Sequence, residues 1–308
     1  MHMRGISISE YSNPDQLRVS ELEIPKREPK TLLVETIAAG VNFIDTYQRQ
    51  GLPGYQKPLP FVLGLEGSGR VIETDPDSAF SVGDIIAWPF QPGSYAEVVA
   101  IPESKAITVP DKLDPKVAAA VMLQGLTAHY LVNSTFEIKP NSTALVHAGS
   151  GGVGRLLIQM IKNAGGVVIA TASTKQKLES LETLGCDHAI SYDQFDKSVR
   201  EITDGVGVDV VYDGVGNDTY MQSLASLRKR GLLALFGASS GAVPPMDVQL
   251  LNSMGSLFLT RPTLTDYIAS KAEFEKRASD IFRDISEKRL IVEIGGEYSF
   301  ENASQAHI

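Results

Sequence analysis

The chain has a single cysteine, Cys186, among 308 residues. No intrachain disulfide can form, and one thiol cannot build a multi-cysteine zinc site. Long apolar runs are missing as well: no stretch approaches the ~18–20 residues that cross a bilayer. Basic charge is in deficit, with Lys+Arg 28 against Asp+Glu 37 and a formal net charge of −9. That balance argues against a broad basic surface for nucleic acid or for anionic membranes, so neither partner is expected. The opening Met1-His2-Met3-Arg4 has no charged region leading into an apolar core. No signal peptide is read there, and a cytoplasmic location is expected. What remains is ordinary for a globular protein: 43% hydrophobic and 21% charged residues. The length suggests about two domains. Glycine is plentiful at 27, which points to tight turns or a phosphate-binding loop.

The chain has two rhythms. Up to about Gly125 it reads as strands and turns. Thr31–Ala38 alternates apolar and polar residues, and Gly69–Thr74, Asp84–Ala87 and Tyr95–Ile101 are further strand candidates. Turn clusters such as Pro53-Gly54 and Pro92-Gly93-Ser94 separate them, and Asn42–Arg49 is the one helical pattern. Pro115–Val132 is then rich in Ala and Leu and reads as one helix. Strands at Thr143–Ala148, Val167–Ala172, His188–Ser191, Val208–Tyr212, Gly231–Phe236 and Ser256–Leu259 follow, with helical segments between most of them. Strand–helix alternation with near-continuous apolar strands predicts a parallel sheet covered on both faces. A helix near Glu273–Glu287 and a strand at Ile291–Ile294 are expected beyond it.

Thr143–Ala148 runs directly into Gly149-Ser150-Gly151-Gly152-Val153-Gly154 and then a helix. Glycines at 149, 151 and 154 match the dinucleotide-binding pattern in its required strand-before, helix-after context. The first permits a tight turn, the second close approach to a pyrophosphate, the third close helix–strand packing. The helix start offers unpaired N–H groups to the phosphates. An NAD site carries a carboxylate at the end of the second strand, about 20 residues on. Here that end reads Thr171-Ala172-Ser173-Thr174-Lys175-Gln176-Lys177, with hydroxyls and two lysines and no acid. Cations at a helix start oppose the dipole, so a bound anion is the better reason for them. The expected cofactor is NADPH, with Ser173 and Lys177 near its extra phosphate. Asp213-Gly214-Val215-Gly216 and Phe236-Gly237-Ala238-Ser239 follow the fourth and fifth strands, where ligands of open α/β sheets sit. Val215, Gly216 and Gly237 are therefore candidates for cofactor contact.

Together these segments resemble the zinc-independent quinone oxidoreductases (zeta-crystallin-like) of the medium-chain dehydrogenase/reductase superfamily. The resemblance covers nearly the whole chain. It is carried by Gly40–Tyr47, Pro60–Gly69, Val82-Gly83-Asp84, Gly93–Val98, Gln124–Thr127, His147–Gly154, Val211–Gly216, Phe236–Gly241 and Leu259–Leu264. It implies an α/β protein: a GroES-like irregular β domain over 1–125, a Rossmann doubly wound parallel sheet over 126–261, and a return segment over 262–308. It also implies Asn42, Tyr47 and Thr127 near the nicotinamide, and Ser173, Lys177 and Tyr192 around the adenosine phosphate. Phe236, Ser239 and Arg261 would close over the cofactor. A homodimer joined through edge strands is implied, with Ser256–Leu259 as the candidate edge. One departure is Gln124, where many relatives have lysine. The final Ser304–Ile308 is similar to the start of a helix that relatives continue, so a truncated end is one expectation.

Zinc relatives have cysteine where this chain has Asp45, and Gly-His-Glu where it has Gly64-Leu65-Glu66. Two carboxylates without Cys or His make a poor zinc site, so no metal is expected. The five histidines are scattered and form no ligand-spaced pair. An electron-poor acceptor needs little polarisation, so hydride transfer to a quinone is the expected reaction, with Tyr47 placed to hydrogen-bond the acceptor or relay a proton. Reduction of an enone or enal double bond is the alternative within the same chemistry. A non-catalytic NADPH-binding protein, crystallin-like or RNA-binding, is the alternative of another class.

Overall fold

The computed structural model describes residues 2–308, which divide into two compact units. One comprises 1–123 with 268–308; the other comprises 124–267.

The first unit is built from short antiparallel strands. They are β1 (His2–Ile8), β2 (Val19–Glu23), β3 (Thr31–Ala39), β4 (Phe61–Val62), β5 (Gly67–Glu73), β6 (Ile85–Trp88), β7 (Val98–Pro102) and β8 (Ile107–Thr108). A five-stranded sheet has the order β7-β3-β5-β6-β8, and a three-stranded sheet has the order β2-β1-β4. Inward residues of the larger sheet, including Leu32, Val34, Val71, Ile86, Trp88 and Ile101, form one core. Ile6, Ile8, Leu17, Leu63 and Tyr95 form a second. Two helices belong to the early part of this unit, α1 (Phe43–Gln50) and α2 (Pro115–Val121). Strands β1 and β2 are not apparent as strands from their sequence; pairing with each other, not alternation, defines them.

The second unit begins with α3 (Gln124–Tyr130), so the single helix expected over Pro115–Val132 is broken. The break has a visible cause: the Leu123 N–H leaves the helical ladder and donates to a side chain, Glu66 Oε2. Strand and helix then alternate through β9 (Thr143–Val146), α4 (Gly152–Asn163), β10 (Val167–Thr171), α5 (Lys175–Thr183), β11 (His188–Ile190), α6 (Phe195–Ile202), β12 (Val208–Asp213), α7 (Tyr220–Ser226), β13 (Leu227–Leu235), α8 (Gln249–Ser253), β14 (Phe258–Thr260) and α9 (Leu264–Tyr267). The sheet is parallel throughout, in the order β11-β10-β9-β12-β13-β14. This is the doubly wound order 3-2-1-4-5-6, whose chain reverses direction across the sheet between β9 and β12. The central strands are nearly inaccessible to solvent, as expected for a sheet with helices on both faces.

The chain returns to the first unit with α10 (Lys271–Ser286) and ends in α11 (Ala303–Ala306). A strand at Ile291–Ile294 is not formed; the segment is irregular and both isoleucines are exposed. Neither isoleucine has a buried face to alternate into, so apolar residues alone do not make it a strand. The sixth strand starts at Phe258 rather than Ser256, because Ser256 takes a left-handed conformation (φ 55°) that a strand cannot include.

Candidate functional site

In the second unit the glycine loop joins β9 to α4. A Cβ at Gly154 would lie 2.3 Å from the Ala148 carbonyl oxygen and 2.7 Å from Gly149 Cα, so only glycine lets the helix start sit this close to the turn. Helix α4 is capped by Gly151 with no side-chain hydrogen bond and has no acidic residue in its first turn. Its N–H groups are thus available to an anion, and the loop fits a dinucleotide pyrophosphate. Gln124 overlies this point: a Cβ on Gly152 would fall 1.8 Å from Gln124 Oε1.

The end of β10 lies beside the loop, with Gly149 N–H donating to the Thr171 carbonyl at 2.9 Å. Ser173 and Lys177 are exposed there. Lys175 leans toward Glu179 at 3.9 Å, on the surface of α5, so Lys177 is the better placed cation. Tyr192 half-covers the loop from the other side: its hydroxyl accepts the Ala148 N–H at 2.8 Å and its ring stacks on His147 at 5.8 Å.

The loops after β12 and β13 interlock at the carboxyl ends of the strands. Ser239 N–H donates to the Gly214 carbonyl and Ser240 N–H to that of Val215. Backbone approaches backbone so closely that a Cβ on Gly237 would meet the Gly214 oxygen at 2.4 Å. Val215, Gly216, Phe236, Gly237 and Ser239 are thereby brought together at one edge of the sheet. Arg261 follows β14 and is exposed, and its charge acts on Tyr130, which stacks on Tyr267 at 4.2 Å. Thr127 is buried on α3.

Sequence reasoning missed what holds the first of these loops. Asp213 is fully buried, and four groups donate to it: Val215 N–H, Gly216 N–H, the Thr219 hydroxyl and the Ser223 hydroxyl. Ser223 in turn lies 2.9 Å from His147 Nε2, and His147 Nδ1 lies 2.9 Å from the Thr171 hydroxyl. A carboxylate only accepts, so the Ser223 proton is committed to Asp213. Ser223 therefore accepts from His147 Nε2–H, and Nδ1 accepts from Thr171. Burial pushes the His147 pKa down to about 4, so the ring is neutral and this tautomer is defined. The network ties β9, β10 and α7 to the Val215–Gly216 turn.

In the first unit Asn42 precedes α1 and is buried. Its backbone N–H donates to Asp45 Oδ2 (2.8 Å), and its side-chain Nδ2 donates to Glu66 Oε1 (2.6 Å). Tyr47, one turn along α1, is half-buried, with its ring 5.0 Å from that of Tyr55. Behind them runs a chain of polar groups that the sequence did not reveal. Arg49 Nη1 donates to His307 Nδ1 (2.9 Å), since a guanidinium has no acceptor. His307 Nε2–H then faces the Tyr95 hydroxyl (3.3 Å), which donates to Asp45 Oδ2 (3.1 Å). Burial lowers the His307 pKa to about 4, as does the Arg49 charge, keeping the imidazole neutral. Burial raises Asp45 to about 7, against the pull of the Asn42 N–H and Tyr95 hydroxyl. Burial raises Glu66 further, to about 8, with the Asp45 charge adding to it. The periodicity of α1 places Arg49 on a buried face but gives no sign that its partner lies 258 positions away.

The acids do not fit zinc. Asp45 and Glu66 are hard donors with three of four oxygens engaged by N–H or O–H groups, and Leu65 offers none. Among the described residues no group of three or more His, Cys, Asp or Glu is arranged to hold a metal ion.

Comparison with known proteins agrees with this geometry. Residues 28–111 match the alcohol dehydrogenase GroES-like domain and residues 152–283 the zinc-binding dehydrogenase domain. Quinone oxidoreductase 1 of Escherichia coli is 37% identical, over 98% of this chain and 94% of that protein. The chain belongs to the quinone oxidoreductase family of the medium-chain dehydrogenases/reductases. Within the family, a 2-haloacrylate reductase from a Burkholderia species is 36% identical over 97% of this chain and 93% of its own length. A mycobacterial protein solved with NADPH superposes with a TM-score of 0.95 at 44% identity, covering 99% of this chain and 95% of that one. The Escherichia coli quinone oxidoreductase–NADPH complex gives the same TM-score at 36% identity, over 99% and 95% of the two chains.

Proposed function

We propose that this chain is an NADPH-dependent quinone oxidoreductase that works without a bound metal. The observation that carries the cofactor choice is the end of β10: an exposed serine and lysine stand where an NAD site would place a carboxylate. NADPH-bound relatives at 44% and 36% identity support it. When bound, NADPH supplies a hydride, which with one proton converts a quinone to its hydroquinone. The chain's own residues bind and orient. The α4 N-terminus and glycine loop take the pyrophosphate, Ser173, Lys177 and Tyr192 the 2′-phosphate end, and Val215, Gly216, Phe236, Gly237, Ser239, Arg261 and Thr127 the nicotinamide side. Asn42 and Tyr47 belong to the reacting group, with the Tyr47 hydroxyl hydrogen-bonding the acceptor oxygen or passing the proton.

The 2-haloacrylate reductase relative favours a second reading, reduction of an activated carbon–carbon double bond. NADPH oxidation with a panel of quinones against a panel of enones and haloacrylates separates them. Quinone turnover is expected to dominate; turnover confined to the activated alkenes refutes the first reading, and none with either class refutes both.

We further propose a cytoplasmic homodimer joined along β14. Phe258 and Leu259 are exposed on that edge strand, which among the described residues pairs only with β13, and an apolar edge needs cover. Sedimentation at the monomer mass would refute the dimer.

A further inference from the structure

Resting on the reading that Tyr47 meets the acceptor, we propose that His307 and Tyr95 are positioning residues that clamp the inner face of α1 and so fix the direction in which Tyr47 points. The helix is built the wrong way round for apolar packing. Its three buried residues, Asp45, Gln48 and Arg49, are all polar, while Phe43 in its first turn is 68% exposed. A helix of eight residues is marginal by itself, so tertiary contacts decide how it sits. Apolar contact holds a helix without a preferred direction, whereas hydrogen bonds hold it in one.

Asp45 and Arg49 stand four residues apart on the inner face, a spacing at which acid and base can pair directly. Here two other side chains stand between them. Arg49 Nη1 donates to His307 Nδ1, His307 Nε2–H faces the Tyr95 hydroxyl, and that hydroxyl donates to Asp45 Oδ2. All four residues are buried. Every proton in the series points away from the guanidinium, which cannot accept, and toward Oδ2, which also accepts the Asn42 N–H. A proton taken up by Asp45 goes to Oδ1, which is buried without a partner, and leaves the series as it is. The clamp is itself held. A Cβ on Gly64 would lie 2.3 Å from the Tyr95 ring, so that glycine makes room for it, and Ala303 of α11 packs in the same core as Tyr95. Tyr47 lies midway between the clamped residues, and two residues turn a helix by about 200°. It therefore leaves α1 on the face opposite the clamp, where its ring meets Phe43 at 6.4 Å and Tyr55 at 5.0 Å. Any rotation of α1 about its axis that breaks the clamp swings Tyr47 with it.

The test measures kcat for quinone reduction, KM for NADPH and melting temperature in His307→Ala, His307→Asn, His307→Gln, Tyr47→Phe and the double variant of His307→Ala with Tyr47→Phe. An asparagine amide reaches as far as imidazole Nδ1, and a glutamine amide as far as Nε2. His307→Asn can therefore accept from Arg49 but falls short of Tyr95, whereas His307→Gln reaches Tyr95 and restores the clamp. The expected loss in kcat is about tenfold for His307→Ala and His307→Asn, while His307→Gln stays within about threefold of the parent. KM for NADPH is unchanged, because the groups proposed to hold the cofactor's phosphates belong to the second unit. The double variant is no slower than Tyr47→Phe, because the clamp acts only through Tyr47. An unchanged kcat in His307→Ala, equal kcat in His307→Asn and His307→Gln, or losses that multiply in the double variant overturn the positioning role. So does a kcat that merely follows the melting temperature. An unchanged kcat in Tyr47→Phe overturns the underlying reading instead. If His307→Ala does not fold, Tyr95→Phe, which keeps the ring and removes the donor to Asp45, takes its place in the cycle and must show the same non-additivity.

Discussion

Asp213 offers the sharpest test of how the cofactor loop is held. Replacement by alanine strands two backbone donors, Val215 N–H and Gly216 N–H, and frees the Thr219 and Ser223 hydroxyls to find other acceptors. At about 1–3 kcal/mol for each unsatisfied amide, the loss should be about 3–5 kcal/mol, in line with removing one partner of a buried ionic group. Asp213→Asn is milder and more informative. Its remaining oxygen can still serve the two amides and the Thr219 hydroxyl, while the new NH2 faces Ser223, which must change from donor to acceptor. The Ser223 proton then turns to His147 Nε2, and His147 must carry its own proton on Nδ1 and donate it to Thr171. Exchanging charge-assisted for neutral hydrogen bonds should cost about 1–2 kcal/mol. Denaturant unfolding gives the energies, and nitrogen NMR shifts of the imidazole ring report the tautomer directly, with His147→Gln assigning the signal. The reasoning fails if Asp213→Ala costs less than about 1 kcal/mol, or if His147 keeps Nε2–H in Asp213→Asn. NADPH affinity should weaken in Asp213→Ala, because Val215 and Gly216 lose their anchor.

Lys177→Ala should weaken NADPH binding by about tenfold, equivalent to about 1.4 kcal/mol, and leave NADH within about twofold; equal changes in fluorescence titrations would remove the 2′-phosphate assignment. Asp45 makes a signed pH prediction. Its pKa near 7 in the folded protein exceeds the ordinary value near 3.9, so between those limits the folded state binds more protons than the unfolded one. Its contribution to stability therefore falls as pH rises from about 4 to about 7, by up to about 1.4 kcal/mol per pH unit, and levels off above. Asp45→Asn should remove that slope; unfolding curves of the two proteins that stay parallel from pH 5 to 8 contradict it.

The sheet and its cofactor loop were legible because their signals are local. Apolar runs such as Thr143–Val146 and Val167–Thr171 are strands wherever they are buried on both faces, and the glycines of 149–154 have one backbone purpose. The strand order adds nothing surprising once alternation is established. The polar networks were not legible, since each closes over a long sequence distance. Asp213 lies in a recognisable Val-Tyr-Asp-Gly-Val-Gly stretch, yet its partner Ser223 looks like any helix serine. His307 reads as a surface histidine near the chain end until Arg49 and Tyr95 are seen on either side of its ring. Ile291–Ile294 failed for the opposite reason: its residues suit a strand, but both isoleucines stay exposed and the segment is irregular.

The glycines show where composition stops being informative. The sequence marks a glycine but not what fills the space its missing side chain leaves. At Gly154 that space admits the helix start, at Gly237 it admits another loop's backbone, and at Gly40 it admits a carboxyl group. The first is read from the spacing of the motif. The second follows once two loops are known to leave adjacent strands, because their backbones must cross at the sheet's end. The third has no motif at all, since Gly40 and Glu66 are joined only by the fold. Yet it is the missing side chain at Gly40 that gives the Glu66 carboxyl group its buried place beside Asn42. An alanine at position 40 would displace the carboxyl group without touching Asn42. It should lower the melting temperature as overpacking a core does, and an unchanged melting temperature would show that the carboxyl group moves aside at no cost.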